Sequence, residues 1–311
     1  MLIKAYSKIY ARVNEFFFKE EHYATIGLLR ILASAVILLM LINDLPLAVD
    51  YFSDDGFLSG HTELMRSEYR FSILDYAKEP SQVLIVYGLL MLSALMLLLG
   101  KFTRLSAIAT FILLASFHER NPFILDSAET LMRLMVFYLA LAPSGKYFSL
   151  DAAKKGKVLS PEEMKKWQNG PIWPRRLMQL QLAIVYLFAF LAKTGATWKD
   201  GTAVYYFLTN SHFARFNFEF LGNFMPLVQF MTYSALAIEL LFPILVWFMP
   251  IRPYINAAGI ILQLSILFSS NIVFFSLIMI AAHMAFIEPE TVNKAVNKLE
   301  GIGKLIKNKV E

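Results

Sequence analysis

The sequence predicts an all-α fold, a polytopic membrane helix bundle with about eight transmembrane helices. Of 311 residues, 57% are hydrophobic and only 17% are charged, and the mean hydropathy is +0.53. Soluble chains carry about 25% charged residues and about 45–50% apolar ones. Eight segments are also apolar over roughly the 17–25 residues that cross the hydrocarbon core. The charge of the loops between them alternates, which is typical of a membrane protein with a fixed orientation.

The eight predicted spans lie at 25–45, 81–100, 104–120, 127–143, 176–193, 226–249, 254–270 and 272–288. Loop 46–80 is acidic, whereas the 101–104 turn, loop 144–175 and the tail after Glu288 are basic. Since basic loops stay inside, we expect those basic segments and both termini in the cytoplasm. Loops 46–80, 121–126 and 194–225 are expected to face outward. The predicted location is the inner (plasma) membrane of the cell.

Three parts follow along the chain. Residues 1–23 mix lysine and arginine with aromatic residues and have no small-residue cleavage site, which favours an N-terminal interfacial helix over a signal peptide. Residues 24–290 form the transmembrane domain. Its cytoplasmic excursion, 144–175, contains a predicted helix start at Ser160-Pro161. Residues 291–311 are a basic cytoplasmic tail.

Composition also excludes several classes of function. The chain has no cysteine, so disulfides, thiolate nucleophiles and iron–sulfur clusters are excluded. The five histidines lack metal-ligand spacing and no phosphate-binding or nucleophile-elbow motif is present, so we predict no metal site. The net charge of +5 sets membrane orientation and does not indicate nucleic acid. The expected partners are membrane lipids and a lipophilic small molecule, and the sequence does not indicate protein partners.

Lys193 is the most informative residue because it ends a long apolar run. Its ammonium group must reach water, find a counter-ion or lose its proton. Gln179, Tyr186 and Lys193 are spaced by seven residues, which places them on one stripe predicted to face the bundle interior. Lys193 at the outer end of this span either reaches the interface with its stem in lipid or faces a cavity and acts as a base.

Other ionisable residues fall near the same predicted outer face. Asp126, Glu129 and Arg133 share one helix face, and they either form a Glu129–Arg133 pair or line an outward cavity. The third span ends in the polar run 118–122, either as an interfacial cap or at a cavity wall. We hypothesise that one pocket, open to the outside, contains Lys193 and the cavity residues His118, Arg120, Asn121, Asp126, Glu129, Arg133, Tyr186, Trp198 and Asp200.

Glu239 is the deepest carboxylate in the predicted spans. Burial of an unpaired charge is costly, so the sequence predicts either protonation or an ion pair, with Arg30, Arg133 or His283 as candidate partners. His283 and Gln263 are predicted to form hydrogen bonds between helices, with no catalytic role.

Several segments together resemble a known family. They are Leu28-Leu29-Arg30-Ile31, Tyr51-Phe52-Ser53-Asp54-Asp55-Gly56, Gly100-Lys101-Phe102-Thr103-Arg104-Leu105-Ser106, His118-Glu119-Arg120-Asn121-Pro122, and Ile184-Val185-Tyr186 followed by Lys193, Trp198, Asp200 and Gly201. Their order and spacing resemble the HTTM (horizontally transferred transmembrane) family over roughly residues 23–290. The best-known members of that family are the vitamin K-dependent gamma-glutamyl carboxylases.

This resemblance implies a role for Lys193. In the carboxylases the corresponding lysine deprotonates reduced vitamin K, and oxygen then converts the hydroquinone to an alkoxide that removes a glutamate gamma-proton before CO2 adds. Reduced vitamin K or another quinone is therefore the implied cofactor, with Lys193 as catalytic base. Two differences argue against a peptide substrate. An ungapped alignment puts Ala128 where the carboxylases have a functional histidine, and their peptide-docking domain has no counterpart here.

The leading interpretation is a bacterial, carboxylase-like membrane enzyme that acts on a lipophilic, quinone-like molecule. The alternatives are a non-enzymatic lipid or quinone binder, a small transporter, and a structural subunit of a membrane complex. Enzyme and binder differ in what they need from Lys193, because a base must be neutral during part of its cycle and an anion anchor must stay charged.

Overall fold

A computed structural model describes residues 2–57, 71–121 and 123–298. Helices α1–α8 are Leu2–Phe18, Ala24–Asp44, Ala48–Phe52, Pro80–Leu99, Thr103–Arg120, Ser127–Leu141, Leu150–Gly156 and Pro161–Trp167. Helices α9–α15 are Trp173–Ala192, Ala196–Lys199, Ala203–Thr209, Met225–Leu245, Arg252–Ser269, Val273–His283 and Pro289–Lys298. Short 3-10 turns lie at Leu45–Leu47, Ile73–Asp75, Glu219–Asn223 and Met284–Phe286, and strands β1 (Glu20–His22) and β2 (Asn169–Pro171) pair antiparallel.

All eight predicted spans coincide with helices, namely α2, α4, α5, α6, α9, α12, α13 and α14. Within the described part of the chain, four are long and apolar enough to cross a membrane by themselves: Ala24–Phe52, Pro80–Leu99, Trp173–Ala192 and Met225–Leu245. A fifth is counted if Val273–Phe286 and Pro289–Lys298, which are bent by 106° at their junction, form one broken span. The all-α membrane bundle is therefore confirmed, and the number eight stays a prediction.

Of the four helices outside this set, three are too charged or too short to meet these conditions alone. Helix α5 carries three charged residues, Arg104, Glu119 and Arg120, and α6 has only 15 residues. Helix α14 is shorter still, with 11 residues. A helix of that length rises only about 17 Å, which is less than the hydrocarbon thickness of about 30 Å, so α14 cannot cross a membrane by itself.

The chain divides into two compact units. Unit 1 contains Met1–Leu177 and Ile287–Glu311, and unit 2 contains Met178–Phe286. In unit 1, helices α2, α4, α5 and α6 pack against one another in sequence order. In unit 2, α12 packs on α13, α13 on α14, and the short α11 on α12. The boundary falls inside α9, so that helix contributes its first turn to unit 1 and the rest to unit 2.

Local capping explains the helix start predicted inside loop 144–175. Ser160 accepts a hydrogen bond from the Glu163 backbone N–H while the Glu163 carboxylate accepts one from the Ser160 N–H, and Pro161 occupies the first helical turn. This capping box satisfies two backbone donors that the helix itself cannot. The helix start at Ser160 is therefore confirmed.

The N-terminal segment differs from its prediction. The interfacial helix expected over residues 1–23 ends at Phe18, and Glu20–His22 instead forms β1, with Glu20 opposite Pro171 and His22 opposite Asn169. The partner strand lies about 150 residues away in sequence. A local pattern of basic and aromatic residues carries no information about such a distant backbone partner.

Candidate functional site

Lys193 forms an ion pair with Glu239 in unit 2. Its Nζ lies 2.9 Å from each carboxylate oxygen of Glu239 and also donates to the carbonyl oxygen of Ala189 at 3.1 Å. The Lys193 side chain is 21% exposed and that of Glu239 is 11% exposed. The partner expected for Glu239 was Arg30, Arg133 or His283, and that expectation is wrong.

Helix geometry brings these two groups to the same level. Lys193 directly follows the last residue of α9, and helical side chains point back toward the N-terminus, so its Nζ returns to the Ala189 carbonyl. Glu239 is the fifteenth residue of α12, about 21 Å from its start. Lys193 thus lies alongside the second half of α12.

The segment after Lys193 packs along the first half of α12. The Val204 N–H donates to Thr232 Oγ1 at 3.2 Å, and the Tyr233 hydroxyl donates to the Lys199 carbonyl at 2.9 Å. Helices α10 and α11 therefore lie beside α12 and do not extend away as a loop. This arrangement explains why Lys193, at the end of α9, meets Glu239 about two-thirds of the way along α12.

Trp198 and Asp200, both predicted site residues, have different roles. The Trp198 ring centroid lies 5.1 Å from Lys193 Nζ, within range of a cation–π interaction. The Asp200 carboxylate instead accepts hydrogen bonds from the Thr202 hydroxyl at 2.6 Å and from its N–H at 2.9 Å. These two bonds lower the pKa of Asp200 below its usual value. Trp198 belongs to the Lys193 site, and Asp200 caps a turn.

A buried hydrogen-bond network surrounds Tyr186. Its hydroxyl lies 2.9 Å from His283 Nε2 and accepts from Gln263 Nε2 at 3.3 Å, while His283 Nδ1 lies 2.8 Å from Asn256 Oδ1. One neutral tautomer of His283 satisfies these hydrogen bonds, with the Tyr186 hydroxyl donating to Nε2 and the Nδ1–H donating to Asn256 Oδ1. The predicted helix–helix hydrogen bonds of His283 and Gln263 are confirmed.

Gln179 and Tyr186 both face the interior, as their stripe predicts. They are 0% and 1% exposed, and Gln179 donates to the Ala285 carbonyl at 2.7 Å. The Phe242 ring lies 4.4 Å from the Tyr186 ring and 5.0 Å from that of His283. Since Phe242 follows Glu239 by three residues on α12, the ion pair lies about one helical turn from this network.

In unit 1, a cavity of about 190 Å³ lies among α2 to α6. Two predicted cavity residues, His118 and Glu129, line it. The other lining residues are Met40, Leu41, Asp44, Tyr51, Phe52, Tyr87, Leu90, Leu114, Phe117 and Ile124. The cavity thus combines apolar walls with a few polar groups, as ligand sites commonly do.

The remaining predicted residues of unit 1 hold the structure around this cavity without lining it. Arg120 donates to the Phe52 carbonyl at 3.1 Å and pairs with Asp54. Asn121 donates to the Tyr51 carbonyl at 3.0 Å. Both side chains therefore fix residues 51–54 to the end of α5.

The start of α6 shows a second correction. Arg133 pairs with Glu119 at 2.9 Å, so the predicted Glu129–Arg133 pair is wrong. Glu129 instead accepts from the Asp126 N–H at 3.0 Å, while the Asp126 carboxylate accepts from the Ala128 N–H. This capping box directs Glu129 back toward the helix start, away from Arg133 one turn later.

Comparison with known proteins now decides the family. A family model described as the HTTM domain matches residues 18–290, nearly the whole chain. The chain belongs to the HTTM family. No curated protein and no solved structure matches it.

Two features of the candidate sites of this HTTM protein were not predicted from its sequence. The first is the Lys193–Glu239 pair, for which a signal existed, because these are opposite charges in consecutive predicted spans. The second is the contribution of Asp44, Tyr51 and Tyr87 to the cavity. Asp44 ends α2 and Tyr51 lies on α3, so only the packing of both helices against α4 reveals their contribution.

His118 and Glu129 line one cavity in unit 1, and Lys193 contacts Trp198 in unit 2, with Tyr186 about one helical turn from the ion pair. The single pocket hypothesised for all of them joins residues of both units and stays a prediction. Across residues 2–57, 71–121 and 123–298, no group of three or more His, Asp or Glu is placed to hold a metal ion.

Proposed function

We propose that this HTTM protein is a membrane enzyme in which Lys193 acts as a base on a lipophilic, quinone-like molecule. The observation that carries the proposal is the 2.9 Å contact between Lys193 and Glu239. The resemblance to the vitamin K-dependent carboxylases supplies the substrate class, a hydroquinone. Peptide carboxylation is not included, because Ala128 replaces the histidine of those enzymes.

Glu239 gives Lys193 a route to its neutral form. The ammonium group of Lys193 transfers a proton to the carboxylate, which leaves a neutral amine beside a neutral carboxylic acid. The amine then takes the proton of the substrate hydroxyl and leaves a quinolate anion beside the new ammonium group. A partly desolvated site favours such neutral pairs because separated charges are poorly solvated there.

The same pair argues against the anion-binding alternative. A headgroup anchor requires the positive charge of Lys193 to be available, but Glu239 already neutralises it at contact distance. An anionic headgroup would also approach the Glu239 carboxylate, and like charges repel strongly where water is scarce. A neutral substrate with a weakly acidic hydroxyl meets neither obstacle.

Substitution of Lys193 tests the proposal. Arginine keeps the positive charge but cannot lose its proton near neutral pH, and methionine removes the charge. We expect both Lys193→Arg and Lys193→Met to abolish the function lost in a deletion strain, with protein abundance near that of the wild type. Lys199→Arg and Lys199→Met are the matched controls, because Lys199 is exposed, and both should be tolerated.

The pattern of tolerance separates the alternatives. Full function of Lys193→Arg with loss in Lys193→Met would indicate an anion anchor, and tolerance of both would indicate an interfacial lysine.

A direct measurement of proton abstraction uses 1,4-naphthohydroquinone without oxygen. The bound quinol should show the red-shifted absorption of its anion at a lower pH with the wild type than with Lys193→Met. Equal titration curves would contradict the proposed base.

A further inference from the structure

We infer that a basic cavity of unit 1 binds the phosphate headgroup of an anionic phospholipid. This cavity has a volume of about 270 Å³ and lies at the start of α5 and the end of α6. Arg104, Lys146 and Trp167 line it. None of the residues proposed for the Lys193 site takes part, so the inference does not depend on the function proposed there.

Lys146 carries a positive charge that lacks a counter-ion. Its Nζ lies 5.3 Å from the centroid of the Tyr23 ring and 5.5 Å from that of Trp167, within range of cation–π interactions. Neither Lys146 nor Arg104 forms an ion pair within the part of the chain that the structure describes. Burial lowers the pKa of Lys146, and no carboxylate of those residues counteracts this effect. Aromatic rings hold an ammonium group but have no net charge, so an anion in the cavity would neutralise a partly desolvated cation.

The acidic residue of the lining is already engaged. Among the described residues that line the cavity, Asp151 is the one carboxylate. Its Oδ1 accepts from the Phe102 N–H at 3.0 Å, and its Oδ2 accepts from the Thr103 N–H at 2.8 Å and from the Thr103 hydroxyl at 2.7 Å. These bonds cap the start of α5, where the helix dipole also favours a negative charge. Arg104 and Lys146 therefore leave the lining with a net positive charge.

The segment that carries Lys146 is fixed in place by a buried side chain. Arg30, which is 0% exposed, donates to the Ser144 carbonyl at 3.3 Å and to the Phe148 carbonyl. The two carbonyls lie on either side of Lys146, so the arginine holds both ends of residues 144–148. A ligand that binds to a preorganised segment loses less free energy to the ordering of the backbone.

Exposed apolar side chains lead away from the cavity along both helices. They are Leu105, Ile108 and Ile112 on α5, and Phe137 and Leu141 on α6. The rings of Phe111 and Phe137 lie 5.4 Å apart, which joins the two helices along this surface. Because Leu141 also lines the cavity, the apolar surface begins at the basic site. This arrangement fits a lipid with its phosphate in the cavity and its acyl chains along α5 and α6.

The charge of the cavity selects among lipid headgroups. Basic pockets between membrane helices on the cytoplasmic side bind anionic headgroups, and the loop charges predict that this end of unit 1 faces the cytoplasm. Choline and ethanolamine headgroups place a cation close to the phosphate, and Arg104 and Lys146 repel that cation. A glycerol headgroup has no such cation. A free phosphate would meet the same basic side chains but would leave the apolar surface without a ligand.

Native mass spectrometry of the full chain in neutral detergent tests the inference. Phosphatidylglycerol should bind saturably as one molecule per chain, and phosphatidylcholine with the same acyl chains should bind about tenfold more weakly. Glycerol 3-phosphate, which has the phosphate without acyl chains, should not displace the lipid even in large excess. Equal binding of the two lipids would overturn the inference. Displacement by glycerol 3-phosphate would also overturn it, because the cavity would then be a site for free phosphates.

Variants locate the binding. Lys146→Met and Arg104→Met each remove one positive charge from the lining, and each should weaken the binding of phosphatidylglycerol about tenfold. Lys154→Met is the matched control, because it removes the same charge from an exposed position outside the lining, and it should bind the lipid as the wild type does. If Lys146→Met does not fold, the exposed Arg104 decides. Unchanged affinity in the lining variants would overturn the inference, and so would an equal loss in Lys154→Met, which would indicate a general attraction to basic loops.

Discussion

The most buried cations of unit 1 are arginines, whereas the candidate cation of unit 2, Lys193, is a partly exposed lysine. In unit 1, Arg30, Arg120 and Arg175 are at most 3% exposed, and each donates to at least one backbone carbonyl. In unit 2, Lys193 pairs with the carboxylate of Glu239 and remains 21% exposed. Arginine keeps its charge and offers a planar set of donors, whereas lysine can lose its proton. Under the proposed function, the arginines hold the fold and Lys193 acts as the base.

The arginines of unit 1 join segments that are distant in sequence. Arg30 on α2 donates to the Ser144 carbonyl at 3.3 Å and to the Phe148 carbonyl. Arg175 donates to the Ile287 carbonyl at 2.9 Å and pairs with Glu21 on β1 and with Glu288. Arg252 in unit 2 also donates to a backbone carbonyl, that of Val246 at 3.0 Å, but this carbonyl is only six residues away in sequence. Lys193 also donates to a backbone carbonyl, that of Ala189, and it differs from these arginines in its greater exposure and in carrying a group that can lose its proton.

The largest expected effect is the loss of the Arg30 clamp. Arg30→Met leaves two carbonyls without their donor in a fully buried place, and we expect a loss of about 3–5 kcal/mol in stability. Arg30→Lys should be nearly as harmful, because one ammonium group cannot reproduce the planar fork. Thermal unfolding in detergent measures both. Arg104→Met, an exposed arginine, is the control, and equal unfolding of the two methionine variants would contradict a structural role for Arg30.

A second effect should appear as pH dependence of unit 1. Burial raises the pKa of Glu21 from 4.5 to about 7, and Arg175 only partly offsets this; Glu288, Arg176 and Glu290 are the other charges that act on it. Because the folded pKa lies above the unfolded one, the contribution to stability is complete below about pH 4.5 and is lost as the pH rises to about 7. The change is on the order of 3 kcal/mol at most.

Melting temperatures measured between pH 4.5 and 8 check this dependence. Burial lowers the pKa of the neighbouring His22, which acts in the opposite direction, so the informative quantity is the difference between the wild type and Glu21→Gln. That variant should flatten the decline, whereas Glu20→Gln, on the exposed side of β1, should leave it unchanged. An identical pH profile for the wild type and Glu21→Gln would show that Glu21 does not titrate in this window.

Features set by local pattern were predictable from the sequence. Apolar runs predicted the positions of the eight helices that coincide with the predicted spans. The Ser160 capping box predicted the start of α8. The spacing of seven residues placed Gln179 and Tyr186 on a buried stripe. Each of these depends on residues within a few turns of one another. Periodicity and capping are properties of single helices, which is why they survive the lack of any tertiary information.

Features set by contacts between segments were not predictable in the same way. Glu129 was the predicted partner of Arg133, but Glu129 accepts from the Asp126 N–H and Arg133 pairs with Glu119. Glu239 had three proposed cationic partners, but the packing of residues 196–209 along α12 placed Lys193 beside it. Charge alone identifies groups that need partners, and only the fold assigns them.

The smallest expected effect concerns the stability of the Lys193–Glu239 pair. Since both side chains retain some exposure, Lys193→Met and Glu239→Gln should each cost only about 1–2 kcal/mol. The double variant should cost less than the sum, with a coupling energy of about 1 kcal/mol, because neither charge is then left alone. Thermal unfolding of the wild type, the two single variants and the double variant gives this coupling energy. Function should be lost in Lys193→Met and stay lost in the double variant, although its stability partly recovers. If the double variant regained function together with stability, the pair would be a structural device like the arginine clamps of unit 1, and the contrast between the two units would disappear.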